Sequence, residues 1–296
     1  VREFLFARRT GNEAMAAFAA ADFVAGLPAT LLLPEENNLY YRLQNGCTAA
    51  TIRDFFHSCS KTISHPDIYY PSTGIFIARD DTLYLAAKAG DNADSHNHND
   101  TGSFTVYKKG QPMLIDVGVE SYTKKTFSPQ RYEIWTMQSA YHNLPTVNGC
   151  MQSDGEHYRA QDVSWQFSDD ICEIAMDIAP AYPTEAGLLY YKRNALVIKH
   201  KEIIIRDRFA FCSGKKAATN SVVLSFMTYE KPILQDAEHE LKFAVGSLGC
   251  MYMTGVNYLK TETIPIDDAR LKKAWEHEIY RILVAVEDEQ AEIHIF

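Results

Sequence analysis

The sequence predicts a mainly β protein: a large antiparallel β-sandwich preceded by a short helical remnant. From about residue 66 onward, β-branched and aromatic residues alternate with polar ones in short runs. Turn signals such as ARDDT and YKKGQP join neighbouring runs closely enough for hairpins, which favours antiparallel pairing over a parallel βαβ arrangement. The residues before that point follow helical spacing instead.

The opening VREFLFARRT has no starting methionine, no basic region and no apolar signal segment, and reads like the interior of a longer protein. NEAMAAFAAADFVAG is alanine-rich with apolar positions at helical spacing, ending at Gly26 and Pro28. LLLPEENNLYYRLQNG reads as a loop punctuated by proline and asparagine. A second helix is expected over TAATIRDFFHSCSKT, starting at its threonine and placing Ile52, Phe55, Phe56 and Cys59 on one side. Strands are expected at GIFIAR, TLYLAAK, SFTVYKK, PMLIDV, CEIAMDI, GLLYYKRNALVIK, EIIIRDRFAF, SVVLSFMTY, ELKFAV, YRILVAV and AEIHIF. The organisation that follows is a helical part at 1–65 and one β domain at 66–296. Many strands after two isolated helices make a lopsided unit, so the helices look like the end of another domain. No fixed-period repeat or low-complexity segment is present.

The bulk numbers narrow the classes. With 296 residues, 46% hydrophobic and 23% charged, the chain has an ordinary globular composition. It has no apolar run near the roughly 20 residues of a membrane helix, so no membrane span is expected. A net charge of −9 speaks against non-specific nucleic-acid binding. Six scattered cysteines without a C-x-x-C pair argue against a zinc ribbon or redox motif. Most are expected as buried small hydrophobes, although an even count permits disulfides.

The densest polar cluster is GDNADSHNHNDTGSF, which runs into the strand SFTVYKK. On an extended backbone His96 and His98 would share one face and Asn97 and Asn99 the other. A lone H-x-H is commonly a solvated loop or a hydrogen-bonded core pair. Two further residues strengthen it. Asp116 closes PMLID, and a hairpin over the KKGQ turn would return it alongside His98, while His142 in QSAYHNLPTVNG supplies a third ligand from a loop. Two imidazoles and a carboxylate with an open position suit zinc, and iron and manganese accept the same set. A cupin-type iron site is disfavoured, because Asp100, Thr101, Gly102 and Ser103 stand where a cupin needs its glutamate.

SHNHND, then SFTVYKKGQPMLIDVG, then RYEIWTMQSAYHNLPTVNG resembles, in order and spacing, the signature region of the heparinase II/III-like family, over about 55 residues. The resemblance implies a helical toroid followed by a large β-sandwich, with residues 1–65 as the end of the toroid. It implies His98, Asp116 and His142 as ligands of a site-organising zinc, and His96 beside them in the catalytic cleft. It also implies cleavage of a uronic-acid-containing, anionic polysaccharide by β-elimination, and a periplasmic or extracellular place of work. Most of the toroid, which carries further catalytic groups in the family, lies outside this sequence, so this chain is expected to hold half a site. Attraction of an anionic polymer would then be local, from Lys108, Lys109, Lys124, Lys125 and Arg131.

Around that frame several roles stay open. Tyr122 is either a proton donor or sugar contact in the cleft, or a half-buried strand tyrosine. Arg131 either grips a substrate carboxylate or pairs with Glu133 or Asp116 as scaffolding. Trp135 and Tyr141 either stack on sugar rings or pack beneath a sheet. His57, His65, His157, His200, His239, His277 and His294 read as surface or structural residues. The alternative to a lyase is a non-catalytic carbohydrate-binding or scaffold domain whose metal only holds loops together.

Overall fold

The computed structural model describes residues 1–26, 38–59, 65–212, 221–235 and 241–296. Pro28, the LLLPEEN part of the expected loop and His239 lie outside the described residues. Two compact units are present, Val1–His65 and Pro66–Phe296.

Among the described residues the first unit holds three helices, α1 (Arg2–Thr10), α2 (Glu13–Ala25) and α3 (Leu39–Ser58). Gly11 ends α1 in the left-handed region, and the Asn12 side chain then caps α2 by accepting from the Met15 N–H. Phe4 and Ala7 of α1, Ala16, Ala19, Ala20 and Phe23 of α2, and Ala49 and Ile52 of α3 form this unit's core. Two expectations need correction. The segment opening the chain is a helix, and α3 starts at Leu39, so LYYRLQNG is helical rather than loop. Asn38 is the cap of α3, while Thr48 lies inside it with its hydroxyl donating to the Gln44 carbonyl.

The second unit is the β-sandwich. Eight antiparallel strands run in the spatial order Pro232–Gln235, Leu241–Val245, Gly249–Thr254, Gln290–Ile295, Glu202–Phe211, Leu188–Ile198, Ile171–Asp177 and Gln161–Phe167. A five-stranded sheet contains Ile68–Tyr70, Ile75–Arg79, Leu83–Lys88, Phe104–Lys108 and Gln111–Leu114. A four-stranded sheet contains Val256–Ile264, Ile279–Val286, Val222–Thr228 and Pro145–Val147, and Asp91–Asn92 pairs with Gly155–Arg159. Inward residues of the three larger sheets, among them Phe76, Leu85, Phe104, Tyr191, Phe226 and Ile293, share one hydrophobic core. Among the described residues every strand expected from the sequence forms with small shifts at its ends, except PMLIDV, which is strand only as far as Leu114. The cysteines depart from expectation: all six are free thiols and only Cys172 is buried.

Two features aim this scaffold at the polar loop. The hairpin Phe104–Lys108 to Gln111–Leu114 turns through Lys109 and Gly110, both with positive φ, as a two-residue turn between strands of right-handed twist prefers. Beyond Leu114 the expected strand PMLIDV leaves its hairpin partner. The Ile115 N–H instead donates to the Met227 carbonyl, carrying Asp116 across to the four-stranded sheet.

Candidate functional site

The loop between Asp91–Asn92 and Phe104–Lys108 is held mostly by its amides. Asn92 Oδ1 accepts from the Asp100 and Thr101 backbone N–H groups and from the Thr101 hydroxyl, and its Nδ2 donates to Gln152. Asn99 donates from its backbone to Met137 and from its side chain to the Gln152 carbonyl. Lys88 Nζ bonds Asp100 at 2.6 Å and Asn97 Oδ1 at 3.0 Å. These bonds satisfy most of the loop's buried polar atoms, leaving Asn97 Nδ2 and Asn99 Oδ1 without a hydrogen bond.

Within that frame His96 and His98 do not alternate along an extended strand. The Asn97 N–H donates to the Asp94 carbonyl, closing a turn in which His96 has φ +62°. Asp, Ser, His and Asn in sequence are turn-forming, and that signal overrides the strand periodicity. The result separates the two histidines: His96 is exposed, while His98 is directed inward.

His98, Asp116 and His142 come together, with one potential ligand atom from each lying within 4.8 Å of the others. His142 follows the tight turn Ser139–Tyr141 and is fully buried. Its neighbour Asn143 fixes it in place by donating to the Phe104 and Ile115 carbonyls and accepting from the Met227 N–H. The His142 Nδ1 lies 3.1 Å from Asp116 Oδ2 without the alignment of a hydrogen bond, and neither ring nitrogen has a hydrogen-bond partner. A buried imidazole with no aligned hydrogen bond at either nitrogen, beside a carboxylate and a second imidazole, is the donor set a divalent metal needs.

The electrostatics differ between the two imidazoles. Burial, and then the neighbouring His142, lower the His98 pKa to about 4, so its imidazole is neutral at pH 7 and keeps a free lone pair. For His142 burial pushes the same way, but the Asp116 carboxylate outweighs it and raises the pKa. Burial alone would raise Asp116; the His142 ring holds it well below the usual carboxylate range instead.

An open cleft of about 370 Å³ is lined by His96, His98 and Asp116. At its mouth the Tyr122 ring stacks on His96, with centroids 5.5 Å apart and planes inclined by 13°, and Phe127 packs edge-on against both. Tyr122 is 43% exposed and lies outside any strand, so it is not a strand tyrosine.

The other expected contacts fall elsewhere. Arg131 donates from Nε and Nη2 to the Asn97 carbonyl and from Nη1 to the Thr126 carbonyl, which makes it a brace for the histidine loop; Glu133 pairs with Lys125. Trp135 donates to Glu120 and packs edge-on against Tyr141, whose ring is covered by Arg281. Both make packing contacts, and neither is among the residues lining the 370 Å³ cleft. Lys108 lines a separate cavity with Tyr252 and His294, at the far end of its strand.

Sequence reasoning missed the support beneath the site. Arg193 and Asp207 form a buried bidentate pair, and Arg193 Nη1 also donates to the Gly102 and Asn143 carbonyls. A signal was available: Arg193 shares the inward register of Leu188–Ile198 with Tyr191, Ala195 and Val197. Asp80, Asp81 and His200 form a second cluster, but Asp80 is saturated by the Thr82, Leu83 and His200 backbone N–H groups, and the other two side chains are solvated.

The family model described as Heparinase II/III-like, C-terminal matches residues 62–239. The chain belongs to the heparinase II/III-like family. Its fold is similar to that of heparan sulfate lyase HepC from Pedobacter heparinus, with a TM-score of 0.62 at 15% identity over 94% of this chain and 41% of that one. A heparinase III structure gives a TM-score of 0.59 at 12% identity over 80% of this chain and 37% of that one. The chain thus spans less than half the length of these heparinase structures. A search of curated proteins gave no match. Membership places the chain in a polysaccharide lyase family, and the matched part is the β domain that carries the His98, Asp116 and His142 cluster. Among the described residues no helix is long and apolar enough to cross a membrane.

Proposed function

We propose that this chain is the β-domain half of a lyase that cleaves uronic-acid-containing polysaccharide by β-elimination. A helical toroid of which residues 1–65 are the end would complete it, with the whole protein acting in the periplasm or outside the cell. One observation supports the reading above others: an exposed His96 and Tyr122 stack opens beside a buried imidazole that faces Asp116 and has no aligned hydrogen bond at either nitrogen.

In this reading His98, Asp116 and His142 hold zinc, which supplies positive charge that fixes the three loops around the cleft. The chain's own residues do the rest. His96, held at the cleft mouth, contacts the uronate ring whose C5 proton is removed by a base. The C5–H electrons form the C4–C5 double bond as the C4–O4 bond breaks, and the Tyr122 hydroxyl donates the proton that O4 takes up. No water is consumed, and the product carries an unsaturated uronate at its new non-reducing end. Asn143 and Arg131 are positioning residues, since each acts through the loop it holds.

The non-catalytic carbohydrate-binding or scaffold reading draws on a specific fact: Lys88, Lys125 and Arg131 are committed to internal partners. Product formation separates the two. The whole protein, incubated with glycosaminoglycans, alginate and ulvan-type polymers, is expected to release ultraviolet-absorbing unsaturated ends. Tyr122→Phe and His96→Ala should each lower kcat by about 10²-fold or more, in the range of general acid–base contributions. Binding without product in any polymer would leave the scaffold reading standing.

A further inference from the structure

The cleft of a chain with net charge −9 needs local positive charge to hold an anionic polymer, and of the cations around it Lys88, Lys125 and Arg131 are spent on the protein itself. Arg270 differs. It is exposed, and its guanidinium carbon lies 4.8 Å from the centroid of the Tyr122 ring, the ring that stacks on His96. Among the described residues its guanidinium has no hydrogen-bond acceptor or ion-pair partner.

Its placement is built into the fold. Asp268 Oδ1 accepts from the Arg270 and Leu271 backbone N–H groups, and its Oδ2 accepts from Ser121 N–H, tying the turn of Arg270 to the loop of Tyr122. Leu271 and Trp275 anchor the same turn in a core with Ile115 and Val117, and the Trp275 indole N–H donates to the Val117 carbonyl. Arg270 is thus held one phenol ring away from His96 with its planar fork of donors free, the arrangement that takes an oxyanion bidentately.

We infer that Arg270 recognises an anionic group of the sugar chain, a uronate carboxylate or a sulfate ester, and sets the cleft's preference for charged over neutral polymer. This rests on the lyase reading for the identity of the ligand, but it is tested by binding, which needs no turnover. The measurement is the affinity of the chain, by titration calorimetry, for three oligosaccharides of one backbone: uronate only, uronate with sulfate, and carboxyl-reduced. Arg270→Gln is expected to weaken binding of the charged forms by about tenfold, the value of one bidentate charge-assisted contact, and to flatten the salt dependence. Arg270→Lys should recover part of the loss. Lys272→Gln, which removes the same charge from the same turn away from Tyr122, should leave affinity unchanged. A loss confined to the sulfated form assigns the contact to sulfate, and a loss on both charged forms assigns it to the carboxylate. Equal affinity of Arg270→Gln and wild type, an equal effect of Lys272→Gln, or no binding of any charged form by wild type overturns the inference. Failure of the lyase reading shows separately, as absence of product from the whole protein.

Discussion

Replacing Arg193 with methionine removes one member of a pair in which Arg193 is 2% and Asp207 0% exposed. The two side chains meet through Nε to Oδ1 at 2.8 Å and Nη2 to Oδ2 at 2.6 Å, and Tyr191 adds its hydroxyl to Oδ2 at 2.8 Å. Burial opposes the guanidinium charge, but the adjacent carboxylate holds its pKa well above the ordinary arginine value. Removing either partner leaves the other charge buried without compensation, a cost of about 3–5 kcal/mol. Arg193→Met and Asp207→Leu should each lower stability by that amount, which moves a urea midpoint by more than about 1 M. Because both losses have the same cause, the double variant should cost about as much as either single one. The resulting coupling energy then equals one single-variant loss, about 3–5 kcal/mol. Equilibrium urea unfolding read by tryptophan fluorescence measures all three. Single-variant losses below about 1 kcal/mol, or losses that simply add, would refute the claim that this pair carries the site's foundation.

The metal reading predicts one zinc per wild-type chain by elemental mass spectrometry and none in His142→Ala. At zinc 100-fold above its Kd, wild type should gain about 2.7 kcal/mol of stability, and His142→Ala should gain nothing. Gly102 has φ +86°, and a Cβ there would sit 2.6 Å from Ile178 Cγ2; Gly102→Ala should therefore cost about 2–4 kcal/mol and lower zinc occupancy through the shifted loop, as read by urea unfolding and metal analysis. His294 is placed between Glu202 and Glu292; burial lowers its pKa, but the two carboxylates outweigh this and raise it above 6.5. Its contribution is thus complete below pH 6.5 and fades as pH rises through the higher folded value, so His294→Gln should be less stable than wild type in acid and equal to it in alkali. Urea midpoints from about pH 5 to about pH 9 test that convergence.

What could be read in advance follows from how each segment meets solvent. Leu83–Lys88 alternates buried and half-buried residues along its length, and that alternation is visible in LYLAAK. Gln161–Phe167, at the edge of the eight-stranded sheet, is exposed at nearly every position, so it carries no period to detect. Val256–Ile264, at the edge of the four-stranded sheet, hides in the same way. α1 escaped notice because only Phe4 and Ala7 of its residues are buried. In α3 the pair Asn45 and Gly46 looks like a turn, yet Asn45 is buried inside the helix, where packing outweighs local preference.

The site divides along the same physical line. The return of Asp116 towards His98 was legible from the hairpin that precedes it, whereas His142 joined them only through the family resemblance, and the bond from Ile115 to Met227 that finally places Asp116 had no sequence signal. The roles of His96 and Arg131 were not legible, because they depend on a turn and on carbonyls that have no sequence identity of their own. Arg270 lies farther still from any readable pattern: 148 residues after Tyr122 (270 − 122), it reaches that ring only because Asp268 bonds Ser121 across the fold. A cation that acts through tertiary placement leaves no local signature. In a chain of net charge −9 the useful question is therefore which guanidinium the fold leaves free of partners, rather than where positive residues cluster.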